Sequence, residues 1–169
     1  MKKTIKKLMA ALLAVALLCV MAVPAFAAEG AATGTGNNGS ITITNAAKDE
    51  TYTIYRIFDL ESYSGTNYSY KLSSKWLGLA NDTTFKSYFD ITTGGYVVPK
   101  DAYTEDAAKT FAAAALAFAK STTAPIANDG SAVATDTTVS FTGLQLGYYL
   151  VGSSAGALCS LDTTNPDAT

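Results

Sequence analysis

The sequence of 169 residues contains no histidine. That absence excludes a Ser/His/Asp triad, a Cys/His pair and any zinc site that draws on imidazole. Cysteine is nearly absent too, with two in the chain, Cys19 and Cys159. Charge is sparse: 15% of residues are charged, with 14 acids against 12 bases. Hydrophobic residues make up 49% of the chain, enough to build a core. The length fits one domain, with or without appendages.

The N-terminus reads as an address. Lys2, Lys3, Lys6 and Lys7 form a basic start, and Leu8 to Val23 follow without a charge. Pro24 and Ala25-Phe26-Ala27 then supply the helix break and the small-x-small pattern of a secretory signal. Cleavage is expected after Ala27, which makes Ala25, Ala27 and Ala28 the cleavage-site residues. The apolar run is shorter than the roughly 20 residues that a spanning helix needs. Cys19 follows Leu18, which is too large for a lipoprotein site. Without the four lysines the remainder has eight bases against fourteen acids, a net charge of −6. Such a surface disfavours nucleic acid and anionic membranes as partners. Cys159 is then the one thiol left, so no intrachain disulfide is expected. A domain of about 140 residues can manage without one, since near 150 residues roughly 70% of the unfolded surface is buried.

Residues 28–39 are rich in Gly, Ala, Thr and Asn and read as a flexible leader. Order is expected from Ser40, where Ile41 and Ile43 alternate with threonines. Thr51 to Leu60 is the strongest strand pattern, with Tyr52, Ile54, Phe58 and Leu60 on one face and Tyr55 and Ile57 on the other. Bulk on both faces points to a central, covered strand. Arg56 interrupts the heavier face, and a snorkelling stem or a pairing with a nearby acid is the expected explanation. A turn at Ser64 to Asn67 followed by Tyr68, Tyr70 and Leu72 predicts a hairpin over 52–72. Trp76 to Phe89 is spaced like short helical turns. Tyr96 to Val98 is a short extended piece before Pro99. Thr104 to Lys120 is the one clear helix, capped by Thr104 with Glu105 and Asp106 in its first turn. Its stripe is Ala108, Phe111, Ala112, Ala115, Phe118 and Ala119. Residues 121–136 read as a polar connection. Strands return at Val139–Phe141, Tyr148–Val151 and Ala157–Leu161. Many short strands with turn residues and one inserted helix, about residues 104–120, predict a mainly β chain, an immunoglobulin-like β-sandwich.

No enzyme is expected. Asp59 with Glu61, and Glu105 with Asp106, are paired acids, but each pair reads as solvated surface. Cys159 reads as a buried, inert thiol. Asp162, Asn165 and Asp167 lack the ligand density and the glycine of a calcium loop. No catalytic, cofactor-binding or metal-ligating residue is assigned.

Three segments together resemble one family. Tyr52-Thr53-Ile54-Tyr55-Arg56-Ile57-Phe58-Asp59-Leu60 resembles the opening strand of the N-terminal domain of sortase-assembled major pilins of Gram-positive bacteria. Phe141-Thr142-Gly143-Leu144-Gln145-Leu146-Gly147-Tyr148-Tyr149-Leu150-Val151 resembles the Gly-Leu-x-x-Gly-x-Tyr strand pair of pilin and collagen-adhesin domains. Residues 157–164 resemble the strand that closes such a domain. The signature residues are thus Tyr52, Tyr55, Arg56, Phe58, Gly143, Leu144, Gly147 and Tyr149. The resemblance covers residues 40–169. It implies a cell-wall-anchored fibre subunit whose partners are neighbouring pilin subunits and a sortase, with a host protein or glycan as the ligand if the chain is an adhesin. In the family a sortase joins the threonine of a C-terminal sorting signal to a lysine of the next subunit. The sequence ends at Thr169 before such a lysine and without a Leu-Pro-x-Thr-Gly signal, so it is expected to be the N-terminal part of a longer protein. The family often carries a Lys–Asn isopeptide bond beside a buried acid. Ser40 to Thr44 offer no lysine, Lys48 sits in a turn, and Gly152 stands where a glutamate is usual. The bond is therefore expected to be absent here.

Overall fold

A computed structural model describes residues 39–162 apart from 65–66, 122 and 155, and describes residue 64 and residues 156–162 by their backbone alone. The cleavage-site residues Ala25, Ala27 and Ala28, the leader up to residue 38, Asn165 and Asp167 lie outside the described residues. So does the side chain of Cys159. Gly39, expected to close the leader, instead opens the first strand.

The chain is mainly β, with antiparallel pairing throughout the described strands. Strand β1 (Gly39–Thr44) is followed by the long β2 (Thr51–Ser64) and by β3 (Asn67–Leu72). A 3-10 helix (Ser74–Asn81) and helix α1 (Thr83–Tyr88) lead to the short strands β4 (Phe89–Ile91) and β5 (Tyr96–Pro99). Helix α2 (Glu105–Ala119) precedes β6 (Gly130–Val133), β7 (Thr138–Leu144), β8 (Gly147–Ser153) and β9 (Gly156–Asp162). β1 and β7 form a two-stranded sheet. The larger sheet runs β4-β5-β3-β2-β8-β9, with β6 also on β2.

Strand β2 organises the molecule. Its first half carries β8 on one edge and β6 on the other; its second half carries β3. The expected hairpin over 52–72 is present, with a register shift between Leu60 and Ser62. The expected division of faces is not. Tyr52 and Ile54 face the β1–β7 sheet, where they join Ile41, Val139, Phe141 and Val151 in an outer core. Tyr55 and Ile57 face the helices, and Phe58 joins them instead of following Ile54. Alternation therefore breaks at Ile57–Phe58, where β2 passes from one set of partners to the next. A one-residue slip moves the side chains that follow it to the opposite face, up to the next register shift after Leu60. It also puts Arg56 and Asp59 on the same side.

The helical layer closes the second core. Phe58 sits at its centre, with ring centroids 5.5 Å from Phe89 and 5.3 Å from Tyr148. Asp82 caps α1 by accepting from the backbone N–H groups of Thr84 and Phe85. Helix α2 lies where the sequence placed it. The Thr104 side chain accepts from the Ala107 N–H at 3.3 Å, and Glu105 and Asp106 occupy the first turn. Its buried stripe is Ala107, Phe111, Ala112, Ala115, Leu116 and Ala119. Ala107 and Leu116 thus replace the expected Ala108 and Phe118, a rotation of the stripe toward β8 and β9. Phe118 is half-buried and stacks on Trp76 at 6.1 Å. Small residues allow close approach: a Cβ on Gly152 would come within 2.9 Å of Leu116 Cδ1. β6 was not expected, because Gly-Ser-Ala-Val shows neither alternation nor bulk. It exists because the edge of β2 needs backbone partners there.

Candidate functional site

The segment with the strongest signature, β7–turn–β8, folds as its residue types require. Gly143 has φ +69°, and nothing lies within 4 Å of the position its Cβ would take. Its requirement is torsional, because L-residues with a side chain disfavour that region. Gly147 has the opposite problem: a Cβ there would overlap the Phe58 carbonyl oxygen and press on the Arg56 stem. Leu144 is buried in the outer core. Tyr149 is 2% exposed, and its hydroxyl donates to the Gln145 carbonyl at 2.8 Å. Burial pushes the Tyr149 hydroxyl well above the usual phenol range, and the nearby Arg56 guanidinium offsets this only in part. The hydroxyl therefore stays a proton donor.

Arg56 ties this turn to β2. Its Nη1 donates to Gln145 Oε1. Its Nε lies 2.9 Å from Asp59 Oδ1, a close charge contact rather than an aligned hydrogen bond. Its backbone N–H donates to Asp129 Oδ2 at 2.6 Å. Asp129 thereby fills the stretch of the β2 edge between β6 and β3, where none of the described strands supplies an acceptor. Lys75 Nζ lies 2.6 Å from both Asp129 oxygens and also donates to the Ala127 carbonyl at 3.2 Å. Burial raises the Asp59 carboxyl above its usual value; Arg56 and a hydrogen bond from Ser73 pull it down, while Glu61 and Asp129 add to the rise. Two cations and two carboxylates thus pin β2, the 3-10 helix, the loop before β6 and the β7–β8 turn together. Ion pairs this exposed are worth little singly, and their value here is geometric.

The signature residues divide between two faces. Tyr52, Arg56, Leu144, Gly147 and Tyr149 gather on the β1–β7 side, where the Tyr52 hydroxyl also accepts from the Ala47 N–H at 2.8 Å. Tyr55 and Phe58 lie on the helical side, Tyr55 edge-on to Trp76 at 6.3 Å. Asp59 is half-buried beside Arg56 and is not the solvated surface expected of it. Glu61 pairs with Lys71 at 3.1 Å, and Lys109 lies 3.8 Å from Glu105 and 3.3 Å from Asp106. Lys48 is exposed in the turn after β1. Among the described residues no group of three or more thiol or carboxylate side chains is placed to hold a metal ion. No helix among them is long and apolar enough to cross a membrane. Sequence reasoning missed Lys75, Asp129 and Gln145. Asn128-Asp129-Gly130 carries a turn signal only, and these contacts cross 54 to 89 positions of the chain.

No protein-family model, curated protein or solved structure matches this chain.

Proposed function

We propose that this chain is a secreted structural subunit of a cell-wall-anchored pilus, joined to its neighbours by a sortase through groups beyond residue 169, and that its sheets are an immunoglobulin-like sandwich. One observation supports the reading: each of the four fixed positions of the Gly-Leu-x-x-Gly-x-Tyr segment has a structural task that suits its residue type. Gly143 supplies the positive φ, Leu144 fills the outer core, Gly147 makes room for β2, and Tyr149 bonds back to Gln145. A tyrosine hydroxyl bonded to backbone a few residues upstream is a device of immunoglobulin-like sandwiches. The work of these residues is mechanical, which suits a fibre part. A surface adhesin or tip pilin is the second reading; of its candidate contact residues Tyr63, Tyr68 and Tyr70, the first two stack at 6.3 Å beside the hairpin tip, whereas Tyr70 packs against the core. Tyrosines of this kind serve as contact residues for host protein or glycan. Immunoblotting of cell-wall extracts with an antibody to this chain tests the proposal. A ladder of high-mass species that vanishes without the sortase supports the shaft, and a single monomeric band contradicts it.

A further inference from the structure

Helix α2 buries one face and leaves the other bare. Asp106, Thr110, Ala113, Ala117 and its capping residue Lys120 are all exposed. They follow one another at intervals of four, three, four and three residues, the spacing of a straight seam between two packed helices. No charge lies between Lys109 and Lys120, although the outer face of a surface helix ordinarily carries charged residues. Phe118 borders the seam and is half-buried. The 3-10 helix lies against it, since a Cβ on Gly78 would come 3.2 Å from Phe118 Cζ. Leu77, next to Gly78, is 61% exposed, the highest value among the described large apolar side chains. One patch thus combines a large apolar knob with a row of small residues, and a two-fold contact requires such self-complementarity.

Charge selects the occupant. With a net charge of −6 after signal removal, two copies of the chain repel unless they meet where like charges are kept apart. The seam ends in opposite signs. At its start Glu105 and Asp106 share Lys109, 3.8 and 3.3 Å away, which leaves one acid in excess. At its end Lys120 has no carboxylate partner among the described residues. Asp106 and Lys120 stand at equal distances from Ala113 along the helix. A second copy laid antiparallel about Ala113 therefore sets each Lys120 against Asp106 of the other copy, roughly 10 Å from the two-fold axis. A parallel copy would set like charge against like. Alanine at the crossing lets the two helix axes approach to about 8 Å.

We propose that the exposed face of α2 is an interface with a second copy of this chain, the two helices packing antiparallel across a two-fold axis at Ala113 with Leu77 on the flank of the contact. The inference does not rest on the fibre reading and is measured on the chain alone, so either can fail without the other. Within a fibre such a contact joins chains side by side, apart from the covalent joints beyond residue 169.

Sedimentation velocity of the chain after signal removal, residues 28–169, tests the interface. The concentration series is run in reductant, so that Cys159 forms no cross-link between copies. A reversible monomer–dimer equilibrium is expected in the micromolar range. Ala113→Glu brings two carboxylates together on the axis and should weaken the dimer about tenfold or more. Circular dichroism and the thermal midpoint of each variant check that the fold is kept. Lys120→Glu should weaken the dimer as well. Adding Asp106→Lys to it should restore the affinity, because the contact pairs these two positions across copies. A chain that stays monomeric up to the millimolar range overturns the proposal. So does a dimer that Ala113→Glu leaves unchanged, or a double variant that dimerises no more tightly than Lys120→Glu.

Discussion

The Tyr149 hydroxyl donates a 2.8 Å hydrogen bond to the carbonyl of Gln145, closing the turn between β7 and β8 on itself. The ring is buried and the carbonyl belongs to the turn, so the bond links core packing to turn geometry. Removing the hydroxyl in Tyr149→Phe leaves the carbonyl without this donor while keeping the ring. The expected loss is about 1–2 kcal/mol, read as a lower urea midpoint with unchanged slope.

The two glycines of the same turn should fail differently. Gly143→Ala adds only torsional strain, since its Cβ meets nothing, and should cost about 1 kcal/mol. Gly147→Ala places a methyl on the Phe58 carbonyl, a rigid backbone neighbour, and should cost roughly 3 kcal/mol or more. Thermal unfolding of the two variants beside the parent chain measures the order. Equal losses would mean that the β2 backbone shifts freely at Phe58.

Asp59 gives the stability a pH dependence of a defined sign. Burial raises its folded carboxyl above the ordinary value, against the pull of Arg56. Folding therefore favours the protonated form. The contribution is fully present below the ordinary carboxylate value and is lost as the pH rises through the raised one. Asp59→Asn removes this component. Unfolding free energy of the variant, followed from acid to neutral pH, should decline less, or rise more, than that of the parent across the window between the two values. Parallel curves would contradict the burial argument.

The isopeptide bond common in the resembled family is expected to be missing. Gly152, where that family tends to place glutamate, is the spot on which Leu116 of α2 seats. A side chain there must push aside the end of the Leu116 side chain and press on Thr53 Oγ1. Intact mass of the purified 28–169 segment should match its sequence without the loss of one ammonia, roughly 17 Da. Gly152→Glu should destabilise the domain by crowding Leu116 and burying a carboxylate rather than introduce a bond, and the same mass measurement checks the bond.

The Lys75–Asp129 pair is a gap filler more than an ion pair. Asp129→Asn keeps an acceptor for the Arg56 N–H and should cost about 1 kcal/mol. Asp129→Ala leaves that N–H without its acceptor and should cost about 1–3 kcal/mol. Denaturant unfolding of the two variants separates the contributions of charge and hydrogen bonding.

The sequence alone determined the elements whose signals are local. Helix α2 follows from a capping threonine, two acids and an apolar stripe within one segment. The β2–β3 hairpin follows from alternation around a turn. Gly143 is legible because its need is torsional and belongs to the residue itself. Tertiary structure decided whatever depends on a distant partner. Phe58 changes face because β2 exchanges β8 and β6 for β3 beside it. β6 forms because an edge of β2 needs pairing, although Gly-Ser-Ala-Val carries no strand signal. The α2 stripe turns toward Leu116 because Gly152 makes room for it. Arg56 meets Asp59, Gln145 and Asp129 because three segments converge, and the last two lie 89 and 73 positions away. Local periodicity records which surface a segment must bury, whereas the register and the partner that bury it are properties of the whole fold.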